Sequence, residues 1–160
     1  MNETKVVEKD GLPTLAAEVV ALAKDAASTP RVLPAAPPTG RVCATVVALH
    51  GDLGAGKTTF VQVLGKMLGV SEQITSPTFT IMKGYETTDE TFTRLIHMDA
   101  YRIDDISELG PLRFSDILAS PNTLFCIEWA EKIKDALPEE AIQLTLEVVD
   151  ENTRTATLSR

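Results

Sequence analysis

Basic residues are scarce in this 160-residue sequence: 15 Lys and Arg face 23 Asp and Glu, giving a formal charge of −8. No basic run offers the stripe that neutralises a nucleic-acid backbone, so direct, tight binding of DNA or RNA is not expected. Long apolar runs are missing too. The longest, Ala44 to Leu49, is broken by Thr45 and falls far short of the roughly 20 residues that cross a bilayer. The N-terminal stretch, with Glu3, Lys5, Glu8, Lys9 and Asp10, does not resemble a signal peptide, and a cytoplasmic protein without membrane association is expected. There are two cysteines, Cys43 and Cys126, each inside an apolar run and without a second Cys or His at ligand spacing. They read as small buried hydrophobes of a reducing compartment rather than a metal or redox pair.

What is present is ordinary for a globular chain: 44% hydrophobic residues, 24% charged, nine Gly and nine Pro. A chain of this length buries roughly two-thirds of its unfolded surface, and needs neither disulfides nor a structural metal to fold. Leu15, Val19, Val20, Leu22, Ala23 and Ala26 recur at helical spacing, predicting a helix over 12–27 with Thr14, after Pro13, as its start signal. Pro30, Pro34, Pro37 and Pro38 exclude regular structure and make 28–41 a connector. Val42 to Leu49 is β-branched and apolar on both faces, as a central strand is. Phe60, Val63, Leu64, Met67 and Leu68 then keep a helical period up to Gly69, a natural terminator.

Further along, Phe79–Tyr85 and Thr91–Met98 are extended segments whose polar link suits an antiparallel connection, so a mixed sheet is expected. A helical patch within 104–119 is interrupted near Gly110-Pro111, Thr123–Ile127 is another buried strand, and 142–149 with 153–158 forms a closing hairpin. The predicted fold is α/β, a single domain with a mixed β-sheet and flanking helices.

Gly51-Asp52-Leu53-Gly54-Ala55-Gly56-Lys57-Thr58 fits G-x-x-x-x-G-K-[ST] and lies between a buried strand and an amphipathic helix. In such a P-loop the glycines let backbone N–H groups turn onto phosphate oxygens, and the helix N-terminus adds its dipole. The lysine reaches the β- and γ-phosphates and the threonine hydroxyl ligates Mg²⁺. The core over 42–149 is therefore P-loop NTPase-like and nucleotide-binding, with a final hairpin strand in 150–160. Asp99 and Glu128 each end a buried apolar run, where a P-loop enzyme places a carboxylate for metal or water, and where an ordinary strand end is equally at home. Thr75-Ser76-Pro77-Thr78 falls where γ-phosphate-sensing segments lie, or is a plain turn. Arg102 pairs with a phosphate, with Asp99, or in a surface salt bridge. His50 and His97 read as packed, hydrogen-bonded histidines, Trp129 as a core or rim residue, and Asp104-Asp105 and Glu139-Glu140 as solvated charge.

Taken together, His50 to Phe60, Ser76-Pro77-Thr78-Phe79-Thr80, His97-Met98-Asp99-Ala100-Tyr101-Arg102-Ile103 and Ile127-Glu128-Trp129-Ala130 resemble the signature blocks of the TsaE (YjeE) family of small bacterial P-loop ATPases. The resemblance implies the ATP-binding and hydrolysing component of the machinery that makes threonylcarbamoyladenosine beside the tRNA anticodon. Such a component works with TsaB, TsaD and TsaC, acts on the TsaB/TsaD pair, and meets tRNA only through those partners.

Carried over by position, Asp52, Gly54, Ala55, Gly56 and Lys57 would line the phosphates and Thr59 would add a contact on that side. Thr58 and Glu128 would ligate Mg²⁺. Asp99 would be the Walker B-type carboxylate, so Lys57, Asp99 and Glu128 form the expected catalytic set. Ser76 and Thr78 would form a switch-like segment, and Trp129 would position Glu128 or report on the nucleotide. The insert Pro30–Gly40 is longer than the family's, leaving an adenine contact near Pro13-Thr14 unassigned, and Ala100 replaces a larger apolar residue.

Three other readings are open to a P-loop chain of this size. A small-molecule kinase needs an arginine-bearing lid, and the arginines here are scattered. A GTPase needs an Asn-Lys-x-Asp block, which does not occur. A nucleotide-dependent assembly switch with negligible turnover is the non-enzymatic reading, since no arginine finger is evident.

Overall fold

The structure, a computed structural model, describes residues 3–29 and 43–160. From Pro30 onward the expected connector lies outside the described residues, together with Val42. Seven strands and three helices follow in the order β1 (Glu3–Glu8), α1 (Leu12–Ser28), β2 (Thr45–His50), α2 (Lys57–Met67), β3 (Met82–Glu86), β4 (Arg94–Asp99), α3 (Phe114–Leu118), β5 (Thr123–Glu128), β6 (Ile142–Val148) and β7 (Thr153–Ser159). Short 3₁₀ segments occupy Lys9–Gly11, Ile106–Leu109 and Ala130–Ala136.

The strands form one mixed sheet in the order β1-β7-β6-β2-β5-β4-β3. Its centre, β6-β2-β5-β4, is parallel, and β7, β1 and β3 join antiparallel at the two sides. The all-apolar run of β2 sits in the middle because both its faces are covered: residues 45–49 are all buried. One face packs under α1 and α2, with Leu15, Val19, Phe60 and Leu64 against Val47, Leu49, Leu95, Leu124 and Cys126. The other face, with Val46, Ala48, Ile96, Met98, Phe125 and Ile127, is covered by Ile103, Leu109, Phe114 and Ile133 from the shorter segments. Since side chains alternate along a strand, Glu128 follows Leu124 and Cys126 onto the α2 face, and Asp99 follows Leu95 and His97. Register pairs Leu49 with Glu128 and Glu128 with Asp99, so all three stand level at the C-terminal end of the parallel strands.

Several expectations shift. Helix α1 begins at Leu12 as expected, but Gly11 rather than Thr14 stands at its N-cap, with Pro13 accommodated in the first turn, where its missing N–H has no intrahelical acceptor in any case. Strand β3 begins at Met82 rather than Phe79, because Ile81 takes a φ of 64° and breaks the extended run. β1 was not visible in the sequence: only Val7 of its six residues is buried. Helix α2 ends at Met67, with Gly69 just past its last turn as the expected terminator. A φ of 79° at Gly69 lets the Gly69 and Val70 N–H groups bond back to the Lys66 and Gly65 carbonyls at 3.2 and 3.0 Å. Cys43 and Cys126 are both buried and not joined by a disulfide. Burial, reinforced by the charge of Glu128, pushes the Cys126 thiol well above its ordinary range, so it is an inert packing group.

The strand-to-loop junction rests on Gly51, at φ 130°, where a Cβ would meet the Leu146 carbonyl oxygen of β6 at 2.1 Å. Gly51→Ala is expected to lower the unfolding free energy by about 2 kcal/mol or more in urea denaturation. Wild-type stability in that variant would mean that β6 does not hold the loop entrance.

Candidate functional site

The loop from Gly51 to Gly56 curls because Gly51, Gly54 and Gly56 take positive φ values of 130°, 80° and 101°. Inside it the Ala55 N–H donates to the Asp52 carbonyl at 3.1 Å, and the Phe60 N–H donates to the Gly56 carbonyl at 2.8 Å as α2 begins. The N–H groups of the preceding helical positions, Lys57, Thr58 and Thr59, therefore have no acceptor within the helix and face an anion-binding end. A Cβ on Gly54 or Gly56 would meet nothing within 4 Å, so at these positions it is the positive φ rather than crowding that calls for glycine.

Lys57 is only 4% exposed. Its ammonium folds back into the loop, donating to the Gly51 carbonyl and, at 3.0 Å, to that of Asp52. It also sits 4.2 Å from the centre of the Trp129 ring, a cation–π contact. Burial pulls its pKa below the usual lysine value, while the charges of Glu128, Glu131, Asp99 and Asp52 act the other way.

At the strand ends, the Thr58 hydroxyl donates to Glu128 Oε1 at 2.7 Å, joining the first turn of α2 to β5. The same oxygen accepts from His97 Nε2 at 2.7 Å, and His97 is completely buried on β4. A carboxylate oxygen accepts, so His97 carries its proton on Nε2; its buried Nδ1 has no hydrogen-bond partner among the described residues. Among the described residues both hydrogen bonds of Glu128 fall on Oε1, leaving Oε2 for a further ligand. The neighbouring Asp99 has both oxygens occupied, Oδ1 by the Tyr101 N–H at 2.9 Å and Oδ2 by the Thr78 hydroxyl at 3.1 Å. Ser76 and Thr78 hydroxyls lie 2.6 Å apart, so the 75–78 segment is pinned to the strand end through Asp99.

Of the residues singled out in the sequence, Lys57, Thr58, Ser76, Thr78, Asp99, Glu128 and Trp129 come together here. Asp52 contributes its backbone carbonyl, its side chain being exposed. Thr59 lies on the far side of the loop, where Val7, Glu8, Lys9, Leu12, Ala55, Gly56, Asn152 and Arg154 form a small pocket with it. Pro13 and Thr14 are not among its lining residues, so the N-terminal contribution comes from slightly earlier in the chain. Trp129 holds a φ of 55°, rare outside glycine and asparagine, and stacks on Tyr101 at 5.1 Å between ring centres.

Arg102 forms neither of its expected ion pairs among the described residues; its guanidinium lies 5.0 Å from the Phe79 ring centre. Asp105 is more than solvated charge: it caps the Ile106–Leu109 segment in a reciprocal capping box with Glu108. His50 bonds Glu131 at 3.0 Å and Gln143 at 2.7 Å, a structural bridge beside the loop. His97 is the packed, hydrogen-bonded histidine expected, though its partner Glu128 was not foreseen, and Arg154 is a contributor that sequence reasoning missed. The signal for His97 was its alternation with Asp99 on one strand face.

Among the described residues no three His, Cys, Asp or Glu side chains converge into a metal cage. The oxygen set that does converge, Thr58 with Glu128 and adjacent Asp99, fits a hard cation that keeps waters and phosphate oxygens as its other ligands.

The family model described as "Threonylcarbamoyl adenosine biosynthesis protein TsaE" matches residues 15–156. Proteins named "tRNA threonylcarbamoyladenosine biosynthesis protein TsaE" are similar to the chain. That of Bacillus subtilis (strain 168) is 38% identical over 115 residues, 71% of this chain and 68% of that protein. Its counterpart in Rickettsia felis is 40% identical over 110 residues, 68% of this chain and 61% of that protein. The Treponema pallidum protein is 39% identical over 115 residues, 72% of this chain and 82% of that protein. The crystal structure of Bacillus subtilis YdiB superposes with a TM-score of 0.66 at 25% identity, covering 99% of this chain and 84% of that one.

Because His97 gives Glu128 a buried donor, His97→Leu is expected to cost about 1–3 kcal/mol of unfolding free energy in guanidinium titration. His97→Gln, whose amide reaches the same oxygen, is expected to retain most of that stability. Equal losses in the two variants would assign His97 a packing role alone.

Proposed function

The chain belongs to the TsaE family, and from that membership we propose that it is the ATP-binding and ATP-hydrolysing component of tRNA threonylcarbamoyladenosine biosynthesis. The observation that carries the enzymatic part is the 2.7 Å bond between Thr58 and Glu128. It supports this reading because a P-loop hydroxyl and a strand-end carboxylate this close together would suit two ligands of one Mg²⁺. Thr58 and Glu128 Oε2 would hold the ion, which when bound offsets phosphate charge and polarises the β–γ linkage.

The chain's own groups account for the rest. Phosphate entering the loop competes for the Lys57 ammonium with the Gly51 and Asp52 carbonyls, and the lysine swings onto the β- and γ-oxygens. The N–H groups that open α2 bind the same oxygens with the helix dipole behind them. Asp99, through Thr78, keeps the 75–78 hydroxyls at the edge of the site, where they meet a γ-phosphate or the attacking water. The pocket beyond Gly56 and Thr59, with Val7 and Leu12 as apolar walls and Asn152 as a polar edge, suits adenine.

TsaB and TsaD are the proposed direct partners, with TsaC acting in the same pathway and the cytoplasm as the compartment. The net charge of −8 favours contact with tRNA through partners rather than directly.

The test is Mg-ATP hydrolysis by the chain and by Lys57→Ala, each with and without the TsaB/TsaD pair from the same source. Turnover is expected to rise with the pair and to fall by about 10²-fold or more in the lysine variant. Turnover indifferent to the pair would remove the partner assignment. Activity that persists in Lys57→Ala would remove the P-loop chemistry, and phosphate transfer to a metabolite would turn the reading towards a kinase.

A further inference from the structure

Arg154, at the start of β7, does something that the nucleotide reading leaves unused. Its guanidinium faces the outside of the phosphate-binding loop. Nε donates to the Ala55 carbonyl at 3.1 Å and Nη2 to that of Gly54 at 3.4 Å. Nη1 turns back to its own hairpin, donating to the Asp150 and Thr153 carbonyls at 2.6 and 2.9 Å. That hairpin turn is itself fixed. Asp150 Oδ1 accepts the Asn152 and Thr153 N–H groups at 2.8 and 2.9 Å, and the Asn152 carbonyl accepts the Lys9 N–H at 3.1 Å. One planar fork thus spans from a braced turn to a glycine loop that has few contacts of its own.

The effect on the loop follows from peptide geometry. No peptide bond among the described residues is cis. In a trans peptide the C=O and the N–H of the next residue point in opposite directions. Drawing the Ala55 carbonyl towards Arg154 therefore turns the Gly56 N–H away from it, to the side where phosphate lies in a strand–loop–helix cradle. The Gly54 carbonyl likewise faces outward, and its partner, the Ala55 N–H, closes the turn onto Asp52. Glycine at 54 and 56 makes these peptides easy to rotate, so an external restraint determines how much of the time the N–H groups converge.

We propose that Arg154 is a positioning residue of the phosphate-binding loop, holding the Ala55 and Gly54 carbonyls outward so that the Gly56 N–H is set for phosphate. It acts on the triphosphate, not the base, although it also borders the pocket assigned to adenine. The inference rests on the nucleotide-binding reading, and the experiment separates the two.

Isothermal titration of the wild-type chain, Arg154→Ala and Arg154→Lys is carried out with Mg-ATP and with Mg-tripolyphosphate, which has no base. Arg154→Ala is expected to weaken both ligands by the same factor, about tenfold, equivalent to 1.4 kcal/mol. Arg154→Lys, which keeps a charged donor, is expected to lie nearer the wild type for both. Loss for ATP alone would make Arg154 a base contact and overturn the proposal, as would unchanged affinity for both ligands. If the alanine variant does not fold, Arg154→Gln, with a single planar donor, carries the same two-ligand comparison. A wild-type chain that binds neither ligand would overturn the nucleotide reading itself, and this inference with it.

Discussion

Lys57, Asp99 and Glu128 are all charged groups that water barely reaches, and they stand at one end of one sheet. Taking such groups out of water is tolerable only if each finds partners, and the local architecture supplies them. Carbonyls of the glycine loop receive the ammonium, a threonine and a histidine share one oxygen of Glu128, and a backbone N–H with a second threonine satisfies Asp99. The two carboxylates are register neighbours on adjacent parallel strands, so their mutual repulsion is built in and the buried lysine offsets it. An apolar core of ordinary composition could carry the fold without any of this. A polar end of this kind is what the proposed nucleotide, with its own charge, would require.

Much of this was legible because it depended on local sequence. Val46 to Leu49 could only be a covered strand, and three glycines followed by Lys57 and Thr58 could only be a tight loop opening a helix; the structure has both. Asp99 and Glu128 were identifiable as strand ends because each terminates an apolar run. What the sequence did not reveal were interactions between distant segments. His97 looked like a packed histidine, and nothing local says that Glu128, 31 residues later, lies beside it. Arg154 lies about a hundred positions from the carbonyls it holds. β1 left too faint a pattern, since an edge strand buries one face at most and here only one side chain. Ile81 shows the converse case, in which a β-branched residue expected in a strand instead marks where the strand begins.

The loop is gripped from both sides by different parts of the chain. On the inner side Lys57 donates to the Gly51 and Asp52 carbonyls, contacts that phosphate would replace under the proposed function, and its ring partner Trp129 follows directly after Glu128. On the outer side Arg154, Asn152 and the start of the chain form a fixed wall that has no reason to move when a nucleotide arrives. A site built in this way places its conformational response on the lysine, the 75–78 segment and the Tyr101–Trp129 pair. Of these, Tyr101, Thr75 and Ser76 are exposed, and they are where the proposed partner would meet the site.

The pairing of β1 with β7 brings Glu3 opposite Leu158, the two most distant parts of the described chain. A polypeptide leaving the ribosome N-terminus first releases β1 about 150 residues before the strand it must pair with. The four parallel strands, by contrast, can assemble as soon as β6 emerges. Phosphate-binding geometry along β2 and α2 is therefore available to a nascent chain earlier than the wall made by residues 7–12 and 152–154. Vectorial synthesis thus completes the side of the proposed adenine pocket last, and a chain interrupted before β7 would keep the loop but lack the brace and the pocket beside it.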